Sequence, residues 1–259
     1  MRVLPKIRRR SPDERTGTMT LFEHLDELRQ RIIVSMVAVA GGAVVGWFLY
    51  NPVVDLLLNP YCDYWRKIDP KLRVTDSCVL FYQSPLDSMV VKLKVVVFIG
   101  IMVALPVLLW QFWAFVVPGL TSRERRMAVP FVASSVVLFA LGATFAYWTL
   151  PKGLNFLLGF AGSNFVPILT GDKFITFVVL VAFAFGVSFE FPIVLIFLEL
   201  VGVLSSARLR KWRRFSILGI AIFAAIITPS SDPYTMLAMA LPMYLFYEAA
   251  IIVGRLLKR

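Results

Sequence analysis

The sequence predicts an all-α integral membrane protein of six transmembrane helices, with both termini in the cytoplasm and the last two helices short and paired as a hairpin. Three observations carry that fold class. Of 259 residues, 59% are hydrophobic and only 17% charged, whereas a soluble domain carries about 25% charged residues. The apolar residues run in long blocks rather than in the stripes of half-buried helices and strands, which points to lipid as the solvent. The third observation is that Lys and Arg alternate sharply between successive connections.

The spans fall at about 31–50, 88–113, 128–149, 174–199, 215–228 and 235–253. The first four are long enough to cross a hydrocarbon core of about 30 Å. The fifth is bounded by Arg213 and Arg214 on one side and by Pro229 on the other. It is too short to cross without thinning the bilayer beside it. The tight turn Pro229-Ser230-Ser231-Asp232-Pro233 joins it to the sixth, with Asp232 placed to cap the helix that follows. Residues 1–18 form a basic tail, 19–256 the membrane domain and 257–259 the C-terminal end.

Segments 1–31, 114–127, 203–214 and 254–259 carry eight, three, five and three Lys or Arg residues. Segments 51–87, 150–173 and 229–234 carry four, two and none. The positive-inside rule then places both termini in the cytoplasm. A re-entrant last hairpin satisfies the same charges, and the apolar character of both its arms favours crossing. The net charge of +11 thereby sits at membrane boundaries and does not imply nucleic acid. No signal peptide is read, because the first apolar run starts at Ile32 and is too long for a leader's core. Arg8, Arg9 and Arg10 have no apolar segment beside them and read as a solvated tail.

The outer segment 51–87 holds both cysteines, Cys62 and Cys78, which either close this cap as a disulfide or stand as two thiols. No metal or other cofactor is expected: His24 is the one histidine, and no zinc, phosphate-loop or nucleophile-elbow motif is present. The chain therefore does not read as an enzyme.

The informative residues are acids in unusual places. Glu190 lies inside the fourth span, where a charge costs roughly 2.5–3.5 kcal/mol on insertion scales, so it calls for a partner or a cavity. Pro192 removes a backbone donor two residues later and predicts a kink. Glu27 lies on the polar side of an amphipathic stretch whose apolar face is Leu21, Phe22, Leu25 and Leu28. Glu124 follows Thr121 and Ser122, where it can also serve the first turn of the next helix. Two acids among many arginines can grip guanidinium groups through paired hydrogen bonds. Gly42 and Gly46 form a GxxxG that admits close helix approach.

Four segments, in order on this six-span plan, resemble the TatC family, the core subunit of the twin-arginine protein translocase. They are Met19-Thr-Leu-Phe-Glu-His-Leu-Asp-Glu-Leu-Arg-Gln-Arg31, Gln111-Phe-Trp-Ala-Phe-Val-Val-Pro-Gly-Leu-Thr-Ser-Arg-Glu-Arg-Arg126, Phe185-Gly-Val-Ser-Phe-Glu-Phe-Pro192, and Ile227-Thr-Pro229 with Asp232. The resemblance covers about residues 19 to 256 and implies a multi-pass protein of a bacterial or archaeal plasma membrane. It implies that Glu27 and Glu124 contact the paired arginines of twin-arginine signal peptides, with Phe115 contributing. It also implies that Glu190 meets single-span TatA/TatB-type subunits in a concave groove. Transport by the family is driven by the protonmotive force, and the chain would act as a homo-oligomer within a larger complex. The family often has Gln four residues after the hairpin Asp, where this chain has Met236, and the hairpin has one extra Ser.

The rival class is a secondary transporter or channel using Glu190 as an ion site. It predicts inverted repeats and paired broken helices, and the sequence shows neither.

Overall fold

The computed structural model describes residues 21–67, 77–116, 128–159, 168–229 and 232–257. Their regular structure is helical: α1 Leu21–Phe48, α2 Tyr50–Trp65, α3 Asp87–Val116, α4 Ala128–Gly159, α5 Gly171–Phe189, α6 Phe191–Leu200, α7 Ser206–Lys211, α8 Arg213–Ile227 and α9 Pro233–Leu257. Five stretches are long and apolar enough to cross a membrane: Leu25–Phe48, Asp87–Phe115, Val129–Gly159, Gly171–Leu200 and Pro233–Leu256. The fifteen-residue α8 is below that length.

Gly42 against Gly100 and Gly46 against Val96 make α1 and α3 antiparallel, whereas Ser188 against Met239 and Glu199 against Gly254 make α5–α6 and α9 parallel. At the centre of the α1–α3 pair, a Cβ built on Gly42 would stand 2.5 Å from the Gly100 carbonyl oxygen, and one on Gly46 2.7 Å from that of Val96. The GxxxG of α1 is therefore spent on packing within the chain, where absent side chains let two backbones touch. Between α4 and α5 the Phe139 ring lies where a Gly186 Cβ would be. The buried core gathers Val95 and Ile99 of α3, Ala146 and Leu150 of α4, Ile175 and Phe185 of α5, and Met239 and Tyr247 of α9.

Several boundaries differ from the sequence reading. The amphipathic stretch and the first span are one unbroken helix, α1. The third span continues through Pro151 to Gly159, ten residues past its expected end, and Gly153 there packs against Thr235 of α9. The last helix is not short: α9 has 25 residues. The expected end was Val253; at the next residue, Gly254, a Cβ would overlap the Glu199 carboxylate. That glycine makes room for a neighbour and the helix runs through it. Of the two hairpin arms only α8 is short, and Arg213 at its start binds Glu248 of α9 at 2.6 Å, a site about two and a half turns inside the end of α9.

At the end of the bundle where α1 finishes, the segment 51–87 contains a helix, α2. Cys62 near its end is bonded to Cys78, with Cα atoms 5.5 Å apart. Phe81 and Thr170 form a β-bridge, and the Lys94 ammonium donates to Asp172 at 2.5 Å and to Thr176 at 2.8 Å. Lys92 lies 4.1 Å above the Trp47 ring. The two lysines of α3 thus hold α1 and α5 at this end. Replacing Cys62 with Ser should destabilise the cap by about 3 kcal/mol, from the loop entropy of a 16-residue separation. Thermal unfolding of the oxidised and reduced protein checks this: the reductant should lower the midpoint of the parent and leave that of the variant unchanged.

Candidate functional site: a carboxylate clasp and an apolar groove

Two features share the face on which α1 begins. The first is the junction of α1 with the last turns of α3. Glu27, on the outer side of the amphipathic stretch, is half-buried and pairs with Arg31 one helical turn on. Arg31 donates through Nε at 3.1 Å and Nη2 at 2.5 Å to Glu27 Oε1. Nη2 also reaches the Ala114 carbonyl at 2.9 Å, and Nη1 the Gln111 side chain at 3.2 Å. Phe115, half-buried, follows Ala114 on α3. Glu27 and Phe115 are thus brought to one corner. Glu124 lies outside the described residues.

The second feature is a groove of about 700 Å³ framed by α3, α5, α6, α7, α8 and α9. Its walls are Phe112, Val194, Leu195, Trp212, Ile220 and Phe223 among others, and among the described residues Glu190 is the one carboxylate lining it. Pro192 explains why Glu190 is where it is. The missing proline donor interrupts the ladder, α5 ends at Phe189, and α6 restarts at Phe191 with Glu190 as the joint. The expected kink is therefore a break one residue long, and the carboxyl of that residue lines the groove. Among the described residues Glu190 Oε1 is buried with no hydrogen-bond partner, while the Ser135 hydroxyl of α4 is hydrogen-bonded to the carboxyl. That hydroxyl, fully buried, accepts from Trp113 Nε1 at 3.0 Å. Half of the acid is thus held by the protein, and the other half faces apolar walls.

At the hairpin, Asp232 is buried and accepts from the Thr235 backbone N–H at 2.8 Å and from the Thr235 hydroxyl. This is an N-cap for α9. Pro229 precedes it in the turn, exposed.

The whole arrangement matches known proteins. A family model described as Sec-independent protein translocase protein (TatC) covers residues 23–242. The chain belongs to the TatC family. It is 43% identical over 249 residues to the Sec-independent protein translocase protein TatC of Frankia casuarinae, covering 95% of this chain and 68% of that one. It is 36% identical to the TatC of Aquifex aeolicus, covering 93% and 97% respectively. A solved structure described as the twin arginine translocase receptor TatC superposes with a TM-score of 0.73 at 36% identity, covering 92% of this chain and all of that one. The TatC assignment makes this a multi-pass membrane protein and a transport subunit rather than a catalyst.

Sequence reasoning missed Arg31, Gln111, Ser135 and Trp113, whose roles arise from contacts between spans. Ser135 carried a signal, a hydroxyl in an apolar span. Glu199 was missed as well: it is 1% exposed and, among the described residues, neither carboxylate oxygen has a partner.

Proposed function

We propose that this TatC-family chain is the receptor and scaffold of a twin-arginine translocase in the plasma membrane of a bacterium or archaeon. It spans the membrane six times with both termini inside, residues 19–256 forming the membrane domain and 1–18 and 257–259 its basic ends. The alternation of Lys and Arg between connections supports that orientation. Twin-arginine signal peptides of folded proteins dock at the cytoplasmic face, their guanidinium groups on Glu27 and Glu124 and their adjoining residues on Phe115. Single-span TatA/TatB-type subunits enter the groove and satisfy Glu190, and several copies of the chain work within one complex.

The observation that carries the reading is the half-satisfied Glu190 carboxyl in an otherwise apolar groove. A polar atom left unpartnered in lipid is costly, and a helix from another chain bearing a donor would relieve it. A pore would instead need a line of polar groups across the bundle, and the walls around Glu190 are apolar.

The receptor half is tested by peptide binding to the full chain in lipid nanodiscs. A twin-arginine peptide should bind at least about tenfold tighter than its twin-lysine form, because lysine lacks the planar fork that meets a carboxylate. Glu27→Gln and Glu124→Gln should each erode that preference. Equal binding of the two peptides by the parent chain would sink the assignment.

A further inference from the structure

The spacing of Glu27 and Arg31 already favours an ion pair along one helix face. What the spacing does not show is how unevenly the carboxylate is used. Both Arg31 contacts, from Nε and Nη2, land on Oε1. Oε2 is buried and, among the described residues, has no partner. A carboxylate offers about four acceptor sites shared by its two oxygens, so one oxygen of Glu27 is occupied and the acceptor capacity of the other is unused.

Arg31 is itself fixed. Three of its nitrogens make four contacts to three groups: the Glu27 carboxylate, the Gln111 side-chain oxygen and the Ala114 carbonyl. Two of those groups belong to α3. The guanidinium therefore acts as a rigid strut between helices, and removing it means breaking all four contacts at once. It also sets the distance between the Glu27 carboxylate and the α3 turn that carries Phe115.

We propose that Arg31 is a positioning residue for signal-peptide recognition: it clamps Glu27 through Oε1, so that the buried Oε2 keeps a fixed position and an unused acceptor for a guanidinium that enters this corner beside Phe115. The proposal rests on the receptor reading of Glu27 given above. A lysine at position 31 would keep the positive charge but lose the fork, since one ammonium cannot span carboxylate, amide and carbonyl in that geometry. The recognition of arginine over lysine in the peptide thus depends on a second arginine in the receptor.

The test measures affinities of twin-arginine and twin-lysine peptides for the full chain in nanodiscs, with thermal unfolding run on every variant. Arg31→Lys and Arg31→Gln should each weaken twin-arginine binding about tenfold, the scale of a lost charge-assisted hydrogen bond. They should change twin-lysine binding little, so the preference narrows by a similar factor. The double variant Glu27→Gln, Arg31→Lys should bind like Glu27→Gln alone, because the two residues act as one unit.

Additive losses, equal losses for both peptides, or unchanged affinity would each overturn the proposal. Tighter twin-arginine binding by Arg31→Gln would also overturn it, and would make Arg31 a competitor of the peptide. If neither Arg31 variant folds, Gln111→Leu carries the test, since it removes one arm of the strut. It should narrow the preference about two- to threefold, a smaller share of the same charge-assisted contact, and no change would overturn the proposal. The two readings fail separately. If Glu27→Gln leaves the preference intact, the receptor reading falls. If Glu27→Gln removes it and the Arg31 variants do not, only the role of Arg31 falls.

Discussion

Glu190→Leu should fold, unfold at an equal or higher temperature than the parent, and export nothing. The carboxyl is half-held by Ser135 and otherwise faces apolar walls, with Oε1 unpartnered. Its replacement by an apolar side chain of similar size removes a desolvation cost, which on insertion scales is roughly 2.5–3.5 kcal/mol for a charge at a helix centre. A residue whose loss stabilises the resting protein and abolishes its work is serving something outside the resting protein. Export of a twin-arginine reporter in cells, with crosslinking from position 190 to single-span partners, reads the functional half. Wild-type export by Glu190→Leu would remove Glu190 from the mechanism. Glu190→Gln should fall between, since it keeps the shape and an acceptor oxygen but surrenders the charge.

The second large effect is structural and has an internal control one residue away. Gly42→Leu should destabilise the chain by about 3 kcal/mol or more, the upper end of overpacking costs, whereas Gly41→Leu should be close to neutral. A Cβ at position 42 would meet the Gly100 carbonyl at 2.5 Å, and backbone cannot step aside; at position 41 nothing lies within 4 Å. Midpoints of thermal unfolding in one lipid and detergent condition decide it, and equal midpoints for the two variants would show that α1 and α3 do not meet as described. Forcing that pair apart also moves Arg31 away from Gln111 and Ala114, so Gly42→Leu should lose peptide binding while Gly41→Leu retains it.

How much of this could be read from the sequence follows from the range of the forces involved. The long apolar blocks and Pro192 act locally, so the five long apolar helices and the break beside Glu190 were legible. Glu190 and Glu27 stood out because a charge in or near lipid needs a reason. Helix ends were harder. Pro151 did not stop α4, and Gly254 did not stop α9, because contacts with Thr235 and Glu199 from other helices decide both places. The strut of Arg31 joins residues 80 or more apart in the chain, and Trp113 finds Ser135 across two helices. No periodicity encodes such pairings, which depend on how α1, α3 and α4 dock.

The last two turns of α3 carry Gln111 and Ala114 toward the clasp on α1, and Leu109, Phe112 and Trp113 toward the groove. One rigid stretch of helix is therefore a wall of both. Thermodynamic reciprocity gives this a consequence. By whatever factor an occupant of the groove changes the affinity of the Glu27 corner for a signal peptide, the peptide must change the occupant's affinity for the groove by that same factor. Cargo that recruits its partners and partners that hold their cargo are then one coupling free energy, measurable from either end, and α3 is where both measurements should converge.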